Sequence, residues 1–504
     1  MLRFTAICLL VLTIGCGGPD ITDSAPKDSG KPDPSLTASG AFPAIEAAKR
    51  LPLEVCEIPD IEEPLLCGVF EVFENRETNA GRKVPISIVI IPAQEERNTK
   101  TAWIEHPGGP RYSSVATAGY FAKGGWLESF RRNRDVVLVD VRGLHASGPL
   151  YCDALKAPRI LERYYPPERV RACREELEPH ADLAQYSTLN AIADYEDIRT
   201  WLGYEQWDVG GWSYGSRFML TYLHKNPDSI RTISLFIPSI LNFERPVDYA
   251  RFGQQAFDRL SADCKADDAC NQRFPDVAGD LATTFSSLEA APVTISFADP
   301  DGGEDISRLI DRNIFAETIW IALLSNRDAR QLPYVLRHSA QGDFAPFTEF
   351  AAPKSPEEQE PEGHYFSITC PEETGRLTRE QAAEAAKDTF IGSYIAEDYI
   401  GACEAWGLPL HPGHPITPEV FDVPALIVTG DQDPVTPPQY GDINAGHFEN
   451  KIHITVPHMA HGEGGFENEG CLGAILDDFV SAGIVDGLDV SCVETMRPPP
   501  FRLE

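Results

Sequence analysis

The stretch WDVGGWSYGSRFMLTYLHKNP, residues 207–227, decides the fold. It reads as strand, sharp turn and helix. Trp207, Asp208 and Val209 form a short β-prone run that Gly210 and Gly211 end, and residues 217–224 carry apolar side chains at helical spacing until Pro227 closes the helix. Ser213 stands at the turn, with Gly211 two positions before it and Gly215 two positions after. That G-x-S-x-G spacing is that of a nucleophile elbow, whose strained backbone leaves room only for small residues on either side. Glycine and serine are common turn residues, so the spacing alone is a weak signal. Its weight comes from the strand before it, the helix after it, and acid and base candidates that follow in the order Ser, Asp, His.

Outward from the elbow, the chain alternates strand and helix. Residues 66–73 and 84–92 are alternating β-branched runs around a polar turn, an opening hairpin; 101–105 and 135–141 read as further strands, with a helix expected over 113–130 between them. The 135–141 run is almost continuously apolar, as a strand buried on both faces should be. Residues 186–202 have helical periodicity, 230–237 is a strand, and 425–429 and 452–456 resume the pattern before a closing amphipathic helix at 471–482. The expected fold class is α/β: a mostly parallel sheet with helices on both faces, its chemistry beyond the carboxyl ends of the strands. Between 243 and 417 the alternation breaks into helical stretches such as 313–324 and 378–391 and an acidic, Pro-rich segment at 353–362, so a helical cap is expected there. The core then comprises 43–242 and 418–504.

The N-terminus is expected to serve export rather than the fold. Residues 1–15 hold one early positive charge, Arg3, and an apolar run of signal-peptide length, too short to span a bilayer. The run ends Leu12-Thr13-Ile14-Gly15-Cys16, which resembles a bacterial lipoprotein box and makes Cys16 a candidate lipid anchor, with ordinary secretion as the alternative. Residues 16–42 are rich in Gly, Pro, Asp, Ser and Lys and are expected to form a disordered tether. A formal net charge of −34 over 504 residues disfavours nucleic acid and electrostatic docking on anionic lipid, so membrane attachment is expected only through the N-terminal lipid. Ten cysteines remain beyond Cys8 and Cys16, an even number that outside the cytoplasm points to disulfides. The preferred connectivity pairs neighbours, which closes short loops: Cys56 with Cys67, Cys152 with Cys173, Cys264 with Cys270, Cys370 with Cys403, and Cys471 with Cys492. Their spacing does not fit a zinc site.

The acid and base candidates lie at later strand ends. After the strand ALIVTG comes Asp431-Gln432-Asp433-Pro434; Asp433 is preferred as triad acid because the longer turn can aim its carboxylate sideways, leaving Asp431 to cap the turn. VPHMAHGEGG offers His458 and His461 as base. His461 is preferred because Gly462, Gly464 and Gly465 let its backbone approach the elbow. Oxyanion donors are expected from the N–H of Tyr214 and from Gly109, in the loop HPGGP after the 101–105 strand.

With these motifs in hand, the chain resembles the α/β-hydrolase superfamily, in particular the secreted group related to tripeptidyl and prolyl aminopeptidases with a TAP-like C-terminal region. HPGGPRYSS (106–114) looks like that group's GGPGxS oxyanion loop, DVRGLHASGPL (140–150) like its DQRGxGxSxPL, and GWSYGS (211–216) like its elbow, while GDQDPVTPP (430–438) and AHG (460–462) complete it. The resemblance implies Ser213 as nucleophile, Asp433 as acid and His461 as base, with no cofactor and no metal. Arg111 and His145 stand where the group has glycine. Arg111 could bring a cation to the mouth of the site or point to solvent. The implied function is an extracytoplasmic serine exopeptidase acting on peptide N-termini, with a free-ammonium-binding carboxylate expected somewhere in the cap. A carboxylic ester hydrolase using the same triad is the alternative, and a non-catalytic binding lipoprotein the lesser one; the expected partner is a peptide or small acyl substrate.

Overall fold

A computed structural model describes residues 53–95, 100–156, 161–300, 302–353, 359–411 and 419–504. The signal and tether segments, with Cys16, lie outside the described residues. Nine strands form one sheet: β1 (Glu54–Cys56), β2 (Leu65–Phe73), β3 (Lys83–Ile91), β4 (Thr101–His106), β5 (Val136–Val139), β6 (Gln206–Trp212), β7 (Ile230–Phe236) and, numbered after a hairpin elsewhere in the chain, β10 (Ala425–Gly430) and β11 (Lys451–Val456). Their spatial order is β1-β2-β3-β5-β4-β6-β7-β10-β11. The pairings from β1 to β5 through β2 and β3 are antiparallel, and every pairing beyond β5 is parallel.

Strand alternation divides the core between the two faces. Ile104, Val137, Val209, Ile233 and Ile427 fill a cluster on one face, with the helices Thr188–Leu202 and Tyr214–Lys225. Trp103, Val136, Leu138, Leu426 and Val428 point the other way, onto the helix Gly470–Ala482. A strand covered on both sides must be apolar throughout, and β5 and β10 are buried at every residue.

Parallel register aligns the strand ends. His106 of β4 and Leu235 of β7 both lie opposite Gly211 of β6, and Gly430 of β10 lies opposite Val456 of β11. The loops that leave these ends share one edge of the sheet. Five disulfides form in the neighbour pattern: Cys56–Cys67, Cys152–Cys173, Cys264–Cys270, Cys370–Cys403 and Cys471–Cys492. Such bonds persist in oxidising compartments, consistent with export. Among the described residues no helix is long and apolar enough to cross a membrane.

Three expectations need correction. The stretch 113–130 is not one helix but short turns, Val115–Thr117, Ala118–Phe121 and Glu128–Arg131, interrupted at Gly124, whose φ is +85°, and at Gly125. The helix expected over 378–391 stops after Arg379–Ala385, and Asp388 beyond it has φ +58°. The insert between β7 and β10 is not purely helical, since β8 (Val293–Phe297) and β9 (Ile306–Ile310) form an antiparallel hairpin in it. Its later part also packs into the main core rather than over it: Tyr365, Phe366, Ile368, Cys370 and Trp406 belong to the same cluster as the sheet.

Candidate active site

Ser213 follows β6 directly and has φ +53° and ψ −119°, a conformation L side chains rarely adopt. Neighbouring backbone holds it there. Its N–H donates to Phe236 O at 3.0 Å, and its carbonyl accepts from Ser216 N at 3.1 Å and Ser239 N at 3.2 Å. The flanking glycines are sterically required: a Cβ on Gly215 would lie 1.9 Å from His106 O, and one on Gly211 would lie 2.4 Å from Gly215 O. Tyr214 opens the helix Tyr214–Lys225, so its N–H has no acceptor within that helix.

The loop after β4 lies against this turn. A Cβ on Gly108 would meet Trp212 O at 2.5 Å and Ser213 Cβ at 3.4 Å, and both Gly108 and Gly109 have positive φ, +108° and +104°. Gly108 N donates to His106 Nδ1 at 3.0 Å, which requires a neutral imidazole. Burial, helped by the nearby His364, keeps it so by lowering the His106 pKa to about 3. Gly109 O accepts from Arg245 Nη1 at 3.1 Å.

Asp433 lies in the turn after β10 and is 3 % exposed. Its Oδ1 accepts from Val435 N at 2.7 Å and Thr436 N at 2.9 Å, and its Oδ2 is 2.8 Å from His461 Nδ1. Burial opposes the charge, but the His461 imidazole and the two backbone donors outweigh it and hold Asp433 below the usual carboxylate range. With Nδ1 committed to Asp433, the Nε2 of His461 is the ring nitrogen left for another partner. Thr436 was not singled out from sequence. Its hydroxyl lies 2.8 Å from both Asp433 Oδ2 and Ile237 O and 3.3 Å from His461 Nδ1. Its position three residues after the acid was the available signal.

The alternative candidates go elsewhere. Asp431 Oδ1 accepts from His458 N at 2.6 Å, and His458 Nδ1 is 2.7 Å from Asp263 Oδ2, on the insert helix Tyr249–Ala266. They form a second Asp–His contact that faces the insert.

Both readings of Arg111 fail. Its guanidinium reaches Tyr165 OH at 3.0 Å, Tyr164 OH at 3.2 Å and Glu362 Oε2 at 3.2 Å, so it is neither an open cation nor a solvated one. His145 has φ +35°, a backbone that favours the glycine it replaces, and its Nδ1 lies 3.1 Å from Tyr151 OH.

A buried ionic network lies behind the elbow, and sequence reading did not find it. Arg217, on the elbow helix, pairs with Glu372 and Glu373 of the insert; Glu373 also accepts from Arg245 Nε at 2.7 Å. Glu372 accepts from Thr188 N at 2.8 Å and from Thr188 Oγ1 at 2.6 Å. The elbow helix and the Gly109 loop thus share charged partners. Among the described residues no three His, Cys, Asp or Glu side chains are grouped to hold a metal.

The alpha/beta hydrolase fold signature matches residues 106–462, and the chain belongs to that family. It is similar to the serine protease Hip1 of Mycobacterium tuberculosis, 23 % identical over 472 residues that cover 85 % of this chain and 87 % of that one. It is also similar to the putative hydrolase YuaR of Escherichia coli, 22 % identical over 409 residues, 74 % of this chain and 77 % of that one. The solved proline iminopeptidase of Mycobacterium smegmatis aligns with 82 % of this chain and 98 % of its own, at 12 % identity and a TM-score of 0.35. The protein is a serine hydrolase.

Proposed function

We propose that this serine hydrolase is an exopeptidase that releases residues or short peptides from peptide N-termini. Ser213 Oγ attacks the scissile carbonyl while His461 Nε2 takes its proton, and Asp433 fixes the imidazole tautomer and stabilises the imidazolium. The Tyr214 and Gly109 N–H groups receive the oxyanion. His461 then protonates the leaving amine, and water, activated by the same imidazole, hydrolyses the acyl-enzyme.

The observation that carries the exopeptidase reading is Glu317. This insert residue is 9 % exposed and has neither an ion pair nor a hydrogen bond for its carboxylate among the described residues. Burial, then the neighbouring Asp398, pushes its pKa up to about 8. Its helix, Arg312–Ala322, leads to the site: Trp320, one turn on, stacks on Tyr249 at 4.9 Å, and Leu324 O accepts from His461 N at 3.2 Å. A buried acid without a cation is suited to receive a substrate ammonium. Sequence offered too many acidic residues in the insert to choose among them; the missing partner singles this one out.

Matched free-amine and N-acetylated peptidyl anilides, run beside short acyl esters, test the reading. Turnover that needs the free amine, is abolished in Ser213→Ala and shows a raised KM in Glu317→Gln is expected. Strong ester turnover with both anilides untouched would leave an esterase instead. The proposal also has the mature chain anchored outside the cytoplasm by acyl chains on Cys16, supported by the cysteine-ending apolar run. Labelling with radioactive palmitate, present in the full chain and absent in Cys16→Ala, is the expected result.

A further inference from the structure

We propose that Asn326 is a positioning residue for catalysis, an insert side chain that holds the loop carrying His461 in its working place. This rests on His461 being the general base. Asn326 opens the short helix Asn326–Ala329 and is 5 % exposed. Its amide brackets the histidine. Oδ1 accepts from Ala460 N at 2.7 Å, and Nδ2 donates to Gly462 O at 2.7 Å and Gly464 O at 2.9 Å. Two residues earlier, Leu324 O accepts from His461 N at 3.2 Å. Main-chain groups just before, at and just after the base are therefore all bonded to one insert segment.

The loop needs such a hold. Gly462 has φ +138°, and a Cβ built on Gly462 or Gly464 would meet nothing within 4 Å, so close packing does not fix the backbone just after His461. A primary amide suits the task because it presents two donors and an acceptor in one plane. A carboxylate in its place would face two carbonyl oxygens.

The Asn326 segment is itself braced. Ser325 caps its helix through Asp328 N at 3.3 Å, and the next turn sends Arg330 Nη2 to Asp263 Oδ2 at 3.0 Å. That same carboxylate oxygen accepts from Gln432 Nε2 at 2.7 Å, in the turn carrying Asp433. The acid turn and the base loop are thus both fastened to the same insert segment, and loss of the Asn326 contacts would release the base loop without removing any bond to Ser213.

Asn326→Ala and the isosteric Asn326→Asp test the inference, with kcat and KM measured on whichever substrate the wild type cleaves best. A misplaced base costs on the order of 100-fold. That loss is expected in kcat for both variants, with KM little changed and the far-UV spectrum intact. A readout independent of substrate is the low-field proton resonance of the His461–Asp433 hydrogen bond, identified by its absence in His461→Gln. It is expected in the wild type and broadened away in both variants. Wild-type kcat in folded Asn326→Ala, or an unchanged resonance in Asn326→Asp, would overturn the proposal. A wild type that lacks the resonance and does not react with a fluorophosphonate would overturn the triad reading, and this proposal with it.

Discussion

The elbow at Ser213 and the loop at His461 are positioned by different kinds of structure. The serine is held by main chain: Phe236 O takes its N–H, and Gly215 packs so tightly on His106 O that no side chain fits between them. The histidine is held by Asp433 on its ring, by Leu324 O on its N–H, and by the Asn326 side chain, 136 residues before Gly462, on the backbone either side of it. On the proposed triad, the geometry of the nucleophile comes with the sheet, whereas the base takes its geometry partly from the sheet end at Gly430, against which Met459 and Ala460 pack, and partly from the insert. On that proposal, removing the Asn326 contacts weakens catalysis while the main-chain bonds of Ser213 stay in place.

The sharpest way to break this contrast is Gly215→Ala. The added methyl cannot share space with the His106 carbonyl, so the elbow and the end of β4 must part, and activity should fall on the order of 10,000-fold, as when a triad member is lost. Activity close to wild type would show that the elbow is not main-chain locked. Arg245→Ala comes next. It removes the donor to Gly109 O and one of the two cations on Glu373; since Arg217 remains, the loss should fall below the cost of a wholly unpaired buried charge, about 3–5 kcal/mol. Denaturant titration should show that loss, and adding Glu373→Gln should recover part of it.

Glu317 gives a pH-dependent prediction. Its carboxyl is raised from 4.5 to about 8, so its folded-state preference for the proton stabilises the protein fully below pH 4.5 and is lost as pH rises through 8. Stability of the wild type relative to Glu317→Gln should decline across that window. Over the same range KM for a free-amine substrate should rise as pH falls from 8, because the proton competes with the ammonium, while KM of the variant stays flat. A flat wild-type profile would remove Glu317 from substrate recognition.

The smallest effect concerns His458. Its hydrogen bond to Asp263, against some burial, raises its pKa above 6.5, so the contact stabilises fully below pH 6.5 and is lost as pH rises through the raised value. The side chain is 43 % exposed, so the contribution is screened to below about 1 kcal/mol. Thermal melts of His458→Ala should therefore differ from wild type only slightly, and only on the acidic side.

The same contrast explains what the sequence made legible. Strands buried on both faces leave continuous apolar runs, so 135–141 and 425–429 could be read directly. The elbow was readable because its glycines, serine, strand and helix are contiguous. The β8–β9 hairpin has a signal in the sequence, Gly302-Gly303 between two short alternating runs. Arg111 was illegible because Glu362, which pairs with it, lies 251 residues away. The hold of Asn326 on the base loop was illegible for the same reason. Its amide has no local motif, only partners brought together by folding.

Mapping the fluorophosphonate adduct by mass spectrometry tests the account most directly. A single adduct on Ser213, formed at least about 100-fold more slowly in His461→Ala and in Asp433→Ala, is the predicted result. An adduct on another residue, or labelling of Ser213 at an unchanged rate without His461, would contradict it.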